Sequence, residues 1–375
     1  MLSKSILVKA LFLLVVFSVS SLLPAISKAQ PQENTWKTLS PMPQSISGAR
    51  AAVVNGKIYV MSGTFNYEYD PITGDWTAKK PMPTARNFFG MAVCENKIYT
   101  IGGGVWDSDI GYVMSNANEV YNPVTDSWES KTAMLTGRMS LSASEVEGKI
   151  YLIAGRTGGP YSTVALNEVY DVTNDSWTVK KPSLYPVVDY ASAVVDGKIF
   201  VMGGQDEFFE SVNVGFNQIY DPVTDSWSLG TSLPEIVWKA AAGATTGEFA
   251  PKRIYVVGGT PDMGATNLTQ VYDPENDSWT LGAQMPTVRN SLAVAVVDDF
   301  LYAIGGSPHP WDSFMTSEQY TPFGYEAVQP SSTPEPQSDS FPTTLVLVSA
   351  FTVTTLGIGL LFYFKKRHAK SGSEA

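Results

Sequence analysis

Arg50, Arg86, Arg138 and Arg289 each stand just ahead of an alternating apolar run. Lys239 stands near the same place in a further segment, and Tyr190 in another. Guanidinium groups are planar and carry paired N–H donors, so a set of them suits a carboxylate. In a chain of 375 residues with a net charge of −11, the expected ligand is acidic, either a peptide or a sugar. Each arginine also has a scaffold role open to it: it can bond a backbone carbonyl or a neighbouring acid and hold the start of its run.

Aromatic residues form a second set. Trp106, Tyr161, Phe208 and Trp311 sit in long polar stretches among Asp, Asn and Glu, as do Tyr112, Phe209 and Phe314. Together they have the composition of a recognition rim, against the alternative that they pack their own loops. Nucleophilic catalysis finds no partners here. The chain has one cysteine, Cys94, in an apolar run, and two histidines, His309 alone in a loop and His368 in a basic tail. Neither a Ser-His-Asp nor a Cys-His arrangement can be assembled, and no cofactor or metal is expected.

The elements that must position these residues repeat. The segment IYDPVTDSW (219–227) has relatives in EYDPITGDW (68–76), VYNPVTDSW (120–128), VYDVTNDSW (169–177) and VYDPENDSW (271–279). Their tyrosines, Tyr69, Tyr121, Tyr170, Tyr220 and Tyr272, are 52, 49, 50 and 52 residues apart. A period near 50 marks one supersecondary unit that must stack on copies of itself to bury its apolar face. Within each unit, two alternating runs are joined by a short polar turn, as in RNFFGMAVCENKIYTIGGG (86–104), and a variable loop then leads to the Tyr strand and the Trp strand. That order gives a four-stranded antiparallel sheet.

Paired glycines end the second strand at Gly102-Gly103, Gly203-Gly204, Gly258-Gly259 and Gly305-Gly306, weakened to Ser62-Gly63 and Ala154-Gly155. With the Tyr and the Trp seven residues beyond it, they resemble kelch repeats over Trp36 to about Pro322. The resemblance implies an all-β fold, a six-bladed kelch β-propeller with four antiparallel strands per blade. The sixth repeat has Tyr320 but no tryptophan strand, and the N-terminus has a tryptophan strand at Trp36 but no tyrosine strand. The two fragments complete one blade, so the N-terminal strand is expected to close the ring. The tyrosines and tryptophans are expected to pack between blades as scaffold.

In such a ring the b-to-c loops and the d-to-a junctions share one face, which carries the long variable segments and the arginines around the channel mouth. In several kelch domains that this chain resembles, arginines at this junction bind acidic ligands. A copper oxidase resembling galactose oxidase is excluded by the lack of histidines. A sugar mutarotase or epimerase resembling the six-bladed kelch enzyme that acts on sialic acid is the enzymatic alternative, with the arginines as clamp and Glu207 or Glu210 as base. A structural envelope or adhesion component is a third reading. The expected function is a non-enzymatic binding module for a protein or glycan ligand.

The ends of the chain address it to a membrane. Residues 1–29 form a signal peptide, with Lys4 and Lys9 ahead of the apolar run from Ala10 to Leu23 and small residues at Ser27-Lys28-Ala29. Residues 30–328 are the propeller ectodomain, 329–343 a Pro/Ser-rich stalk, 344–364 a transmembrane helix in the lipid bilayer and 365–375 a basic cytoplasmic tail. The expected location is the cell membrane, single-pass, with the propeller outside. Of the 25 basic residues, three lie in the signal and four in the tail, and one of the 36 acids is Glu374, so propeller and stalk together are at −17 and the tail at +3. Such acidity excludes nucleic acid as the ectodomain's partner. Asn174, Asn267 and Asn276 begin N-x-Ser/Thr sequons and are candidate glycosylation sites.

Overall fold

The computed structural model describes residues 31–158, 162–206, 212–262, 264–309 and 312–326. The expected signal peptide, stalk, transmembrane helix and tail lie outside the described residues. Six four-stranded antiparallel sheets follow one another, each in the order a-b-c-d from the inside out. Blade 1 consists of Arg50–Val54, Lys57–Ser62, Phe65–Tyr69 and Trp76–Ala78, and blade 2 of Gly90–Cys94, Lys97–Ile101, Asn118–Asn122 and Ser127–Ser130. Blade 3 is Ser142–Val146, Lys149–Ile153, Asn167–Asp171 and Ser176–Lys180, and blade 4 is Ala191–Val195, Lys198–Met202, Asn217–Asp221 and Ser226–Gly230. Blade 5 is Ala241–Ala244, Ile254–Val257, Thr269–Asp273 and Ser278–Leu281. Blade 6 takes Ala293–Val297, Phe300–Ile304 and Ser317–Thr321 from the C-terminal side and Thr35–Thr38 from the N-terminus. Trp36 pairs with Tyr320 across that seam, so the ring closes through the N-terminal strand as the leftover fragments required.

Each apolar cluster lies between two blades. One joins Val60 and Tyr69 of blade 1 to Ala293 and Tyr302 of blade 6, and the other five do the same around the ring. A repeated polar staple accompanies them. The tryptophan Nε1 of each blade donates to a carbonyl just past strand d of the preceding blade, at 2.8–3.2 Å. Beside it, Asp126, Asp175, Asp225 and Asp277 each accept the Tyr hydroxyl of their own blade and a backbone N–H of the preceding one. Those carboxylates sit in the left-handed region, with φ of +46° to +49°. An Asx side chain tolerates that backbone, which is why an aspartate precedes the Ser-Trp pair.

Blade 6 uses Asn34 instead, at φ +50°, accepting from Tyr320 at 2.8 Å and from the Ala283 N–H at 2.6 Å. Blade 1 has Gly74 at this position and so lacks the staple. The glycine pairs are backbone devices. The second glycine of five pairs has φ of +90° to +101°, and a Cβ there would meet a carbonyl oxygen at 2.7–3.0 Å. Its N–H donates to the d-to-a junction of the next blade, which locks adjacent blades on the loop-rich face.

Candidate functional site

The backbone bonds at the junctions correct the sequence register. The N–H groups of Gly63, Gly103 and Gly259 reach the carbonyls of Arg86, Arg138 and Arg289, and the N–H groups of Gly155, Gly204 and Gly306 reach Val187, Val237 and Ile46. Ile46 is therefore the equivalent of Arg86. Arg50 lies four residues further on, at the head of strand a, where the other blades have Gly90, Ser142, Ala191, Ala241 and Ala293.

Arg86, Arg138 and Arg289 do not converge on the channel. All three are fully buried within their own blades, ion-paired to Glu119, Glu168 and Glu318 on strand c at 2.5, 3.2 and 2.7 Å. Their remaining donors reach the carbonyls of Gly102, Ala154 and Gly305 at the ends of strand b. Burial lowers the pKa of each, to about 10 for Arg289, against the opposing pull of the paired glutamate. These three are scaffold, contrary to the ligand role expected of them. The sequence carried the signal. Strand c reads NEVY or SEQY wherever the junction has Arg, and NQIY or TQVY where it has Val. Gln218 and Gln270 then bond the backbone of Tyr185 and Glu235 directly.

The channel mouth is built from a different set. Gly48, Phe88, Ser140, Asp189, Lys239 and Ser291, one from each blade, all take left-handed backbone, with φ from +51° to +68°. Five of the six steps around this ring are N–H to C=O bonds between neighbours, from Ser140 to Phe88, Asp189 to Ser140, Lys239 to Asp189, Ser291 to Lys239 and Gly48 to Ser291, at 2.7–3.1 Å. Such a turn presents each side chain at the rim. Inside it lies a cavity of about 130 Å³, whose polar lining comes from Arg50, Ser142, Asp189, Ser192 and Lys239. Further along the same strand faces, Val53, Val93, Val194, Ala244 and Val296 follow at i+2, with Glu145 as the one charged residue of that layer.

Arg50 is half-buried in this neck, and its Nε is enclosed with no hydrogen-bond partner among the described residues. Desolvation lowers its pKa, and Asp189 and Tyr190 pull it back up. An enclosed guanidinium donor without an acceptor is costly, and a ligand carboxylate would relieve that cost. Lys239 rests its ammonium 4.0 Å over the Trp238 ring. Tyr190 is buried and donates to the Ile153 carbonyl while accepting the Ser142 N–H at 3.0 Å, with its pKa raised to about 12 by burial. It braces blades 3 and 4 with its hydroxyl engaged, so it shapes the wall and has little left to offer a ligand.

Of the aromatic set, Trp106 is 65% exposed on a hairpin of Gly104–Asp107 and Gly111–Met114 in blade 2. Its ring meets Tyr112 edge-on at 5.0 Å, and Tyr112 meets Phe88 at 5.5 Å. An aromatic file thus runs from the rim to the mouth. Phe88 escaped the sequence reading, yet a bulky residue at the ring position where the other blades have Gly, Ser, Asp, Lys and Ser was its signal. Tyr161, Phe208 and Trp311, with Glu207 and Glu210, lie outside the described residues. Asn174 and Asn276 are exposed in c-to-d turns, whereas the Asn267 amide donates to the Met285 carbonyl at 3.0 Å. Among the described residues no group of three His, Cys, Asp or Glu is placed to hold a metal ion.

The ring of four-stranded blades defines a six-bladed β-propeller with a polar mouth on its loop-rich face. The chain belongs to the kelch-repeat family: the KLHDC2/KLHL20/DRC7 Kelch-repeats domain matches residues 91–306. Kelch-like protein 7 of Rattus norvegicus is 39% identical over 208 residues, covering 54% of this chain and 34% of that protein. Kelch-like protein 35 of Mus musculus is 33% identical over 88 residues, or 23% of this chain and 14% of its own length. The chain thus spans about a third or less of these relatives. The solved structure of YjhT superposes with a TM-score of 0.66 at 16% identity, over 74% of this chain and 95% of that one, and supports the fold. Kelch propellers generally serve as protein-binding modules.

Proposed function

We propose that this protein is a binding module, held at the outer membrane surface by residues 344–364, that takes an acidic segment of a partner protein at its channel mouth. Arg50 is the principal contact and Lys239 the second. The observation that carries this reading is the departure of blade 1 from its own repeat. Five blades place Gly, Ser or Ala at the head of strand a, and one places there a guanidinium that lines the channel mouth with no carboxylate ion-paired to it among the described residues. Internal repeats act as their own reference, and a costly exception within them points to use.

The surroundings suit a protein partner. Trp106, Ile110, Leu135, Leu184, Ile236 and Val288 are all exposed on the loop-rich face, and apolar residues around a polar centre favour a docking surface. A cavity of about 130 Å³ admits a side-chain carboxylate.

The test is an array of acidic peptides and carboxylated glycans probed with the full chain and with Arg50→Ala. The expected result is peptide binding that Arg50→Ala abolishes without lowering the melting temperature. Undiminished binding by Arg50→Ala would sink the reading, and binding to glycans alone would replace the partner class. Surface labelling of intact cells tests the location: a propeller protected from an impermeant reagent would contradict it.

A further inference from the structure

The rim of the loop-rich face is not level. Strands b and c are joined through residues 102–117 in blade 2, 154–166 in blade 3, 203–216 in blade 4, 258–268 in blade 5 and 305–316 in blade 6. In blade 1 only Gly63 and Thr64 separate them, a connection too short to rise above the sheet. Gly63 and Arg86 exchange backbone bonds at 2.9 and 3.1 Å, which holds this turn down against blade 2. The low side of the rim is therefore the side on which Arg50 stands.

Three further observations fall on the same sector. Gly48 is the sole glycine of the mouth ring, and a Cβ there would meet the Phe88 ring at 3.1 Å, so the glycine lets the Phe88 ring lie close beside the blade 1 part of the mouth. Phe88 holds left-handed backbone at φ +57°, an uncommon state for an aromatic residue, and such strain at a mouth suggests use. The file Phe88, Tyr112, Trp106 then forms a wall on the blade 2 side, ending in an indole that is mostly open to solvent.

We propose that blade 1 is a notch through which an extended, acidic peptide segment reaches the mouth from the side. Its carboxylate meets Arg50, and an apolar side chain a residue or two away lies on Tyr112 and Trp106. This rests on the channel-mouth reading and adds the direction of approach. An extended strand advances about 3.3 Å per residue, so a carboxylate at Arg50 leaves its neighbours within the sector of the short blade 1 connection. Charge complementarity favours a peptide acid, and an edge-on aromatic pair offers a face to an aliphatic or aromatic side chain.

The experiment measures fluorescence anisotropy of labelled octapeptides that place Glu-Leu, Gln-Leu or Glu-Ser in a Gly-Ser background, with a uronate oligosaccharide as the glycan arm. The full chain is compared with a variant carrying Gly-Ser-Gly-Ser inserted between Gly63 and Thr64, and with one carrying the same insertion between Gly264 and Ala265 of blade 5. Glu-Leu is expected to bind best. The blade 1 insertion should weaken it tenfold or more, the blade 5 insertion less than twofold, and Trp106→Ala about fivefold for Glu-Leu but little for Glu-Ser. Thr64→Trp, a substitution at an exposed site, fills the notch if the insertion does not fold. Unchanged binding by Thr64→Trp and the blade 1 insertion, with loss by Arg50→Ala, would overturn the notch and leave the mouth standing. Indifference to Arg50→Ala would instead remove the mouth. Failure of the unaltered protein to prefer Glu-Leu over Gln-Leu, or binding of the uronate alone, overturns the proposal.

Discussion

Blade 1 and blade 3 have the same four strands and one arginine each near strand a, yet the two arginines have opposite fates. Arg138 is sealed between strands b and c, opposite Glu168, with its two terminal nitrogens also on the carbonyls of Ala154 and Leu152. In blade 1 the corresponding sites hold Ile46 and Tyr67, and the guanidinium of Arg50 appears four residues later, in the channel neck. The lesson is that pairing separates scaffold from site. A buried guanidinium facing its carboxylate has its charge answered inside the blade, even where one Nε is left over as in Arg138, whereas one without an ion-pair partner keeps its charge for the channel.

The comparison breaks most sharply at the buried pair. Arg138→Ala leaves Glu168 buried and unpaired and should cost about 3–5 kcal/mol in denaturant unfolding, whereas Arg50→Ala should cost less than about 1 kcal/mol. Arg138→Val with Glu168→Gln copies blades 4 and 5 and should recover most of the loss, to within about 1–2 kcal/mol of the unaltered protein. Equal costs for Arg138→Ala and Arg50→Ala would erase the distinction.

The seam beside blade 1 comes next. Trp36→Ala removes the ring that packs on Tyr320 at 5.1 Å and the indole bond to Ala283, and should cost about 3 kcal/mol. An unchanged melting temperature would show that the N-terminal strand does not close the ring. Asn34→Ala, which strips the staple from the same blade, should cost about 1–2 kcal/mol.

The smallest effect is a gain. Gly74 is the one staple position without an Asx side chain; a Cβ there would meet the Ser40 hydroxyl at 3.5 Å, and its φ of +78°, against +46° to +50° at the others, must relax toward theirs for an Asx residue to fit. Gly74→Asp should stabilise the protein by about 1 kcal/mol at pH 7, by accepting the Tyr69 hydroxyl and the Ser40 N–H. The existing staples set its pH dependence. Bonds from Tyr121, Tyr170 and Tyr220 hold Asp126, Asp175 and Asp225 below the ordinary value of 3.8, and the Thr231 N–H does the same for Asp277. A carboxylate with a depressed folded pKa contributes stability above its unfolded pKa and loses it as the pH falls through the folded one. The advantage of Gly74→Asp should therefore be full at pH 7 and gone by about pH 2. A gain that persists in acid would mean that the charge plays no part.

The scaffold was legible because its signals are local and repeated. Alternating runs, Gly pairs and the Tyr-to-Trp spacing each report one strand or turn, and six imperfect copies overcome the noise in any one. The arginines misled because spacing along the chain does not say which way a side chain turns. Arg50 in SGAR and Arg86 in TARN look alike ahead of their apolar runs, yet only the bond from Gly306 to Ile46 shows that they occupy different places. Phe88 was missed because a phenylalanine before an apolar run reads as core until its left-handed backbone turns it to the mouth.

By itself the sequence determined the number of blades, the strand that closes them and the face that carries the long loops, because backbone pairing and burial repeat with the chain. The tertiary structure alone decided which arginines are spent on glutamates and which one joins Lys239 at the channel mouth. That outcome depends on contacts between residues 30 or more apart, Arg86 with Glu119 or Arg138 with Glu168. The absence of such a partner for Arg50 becomes visible only when the strands are side by side.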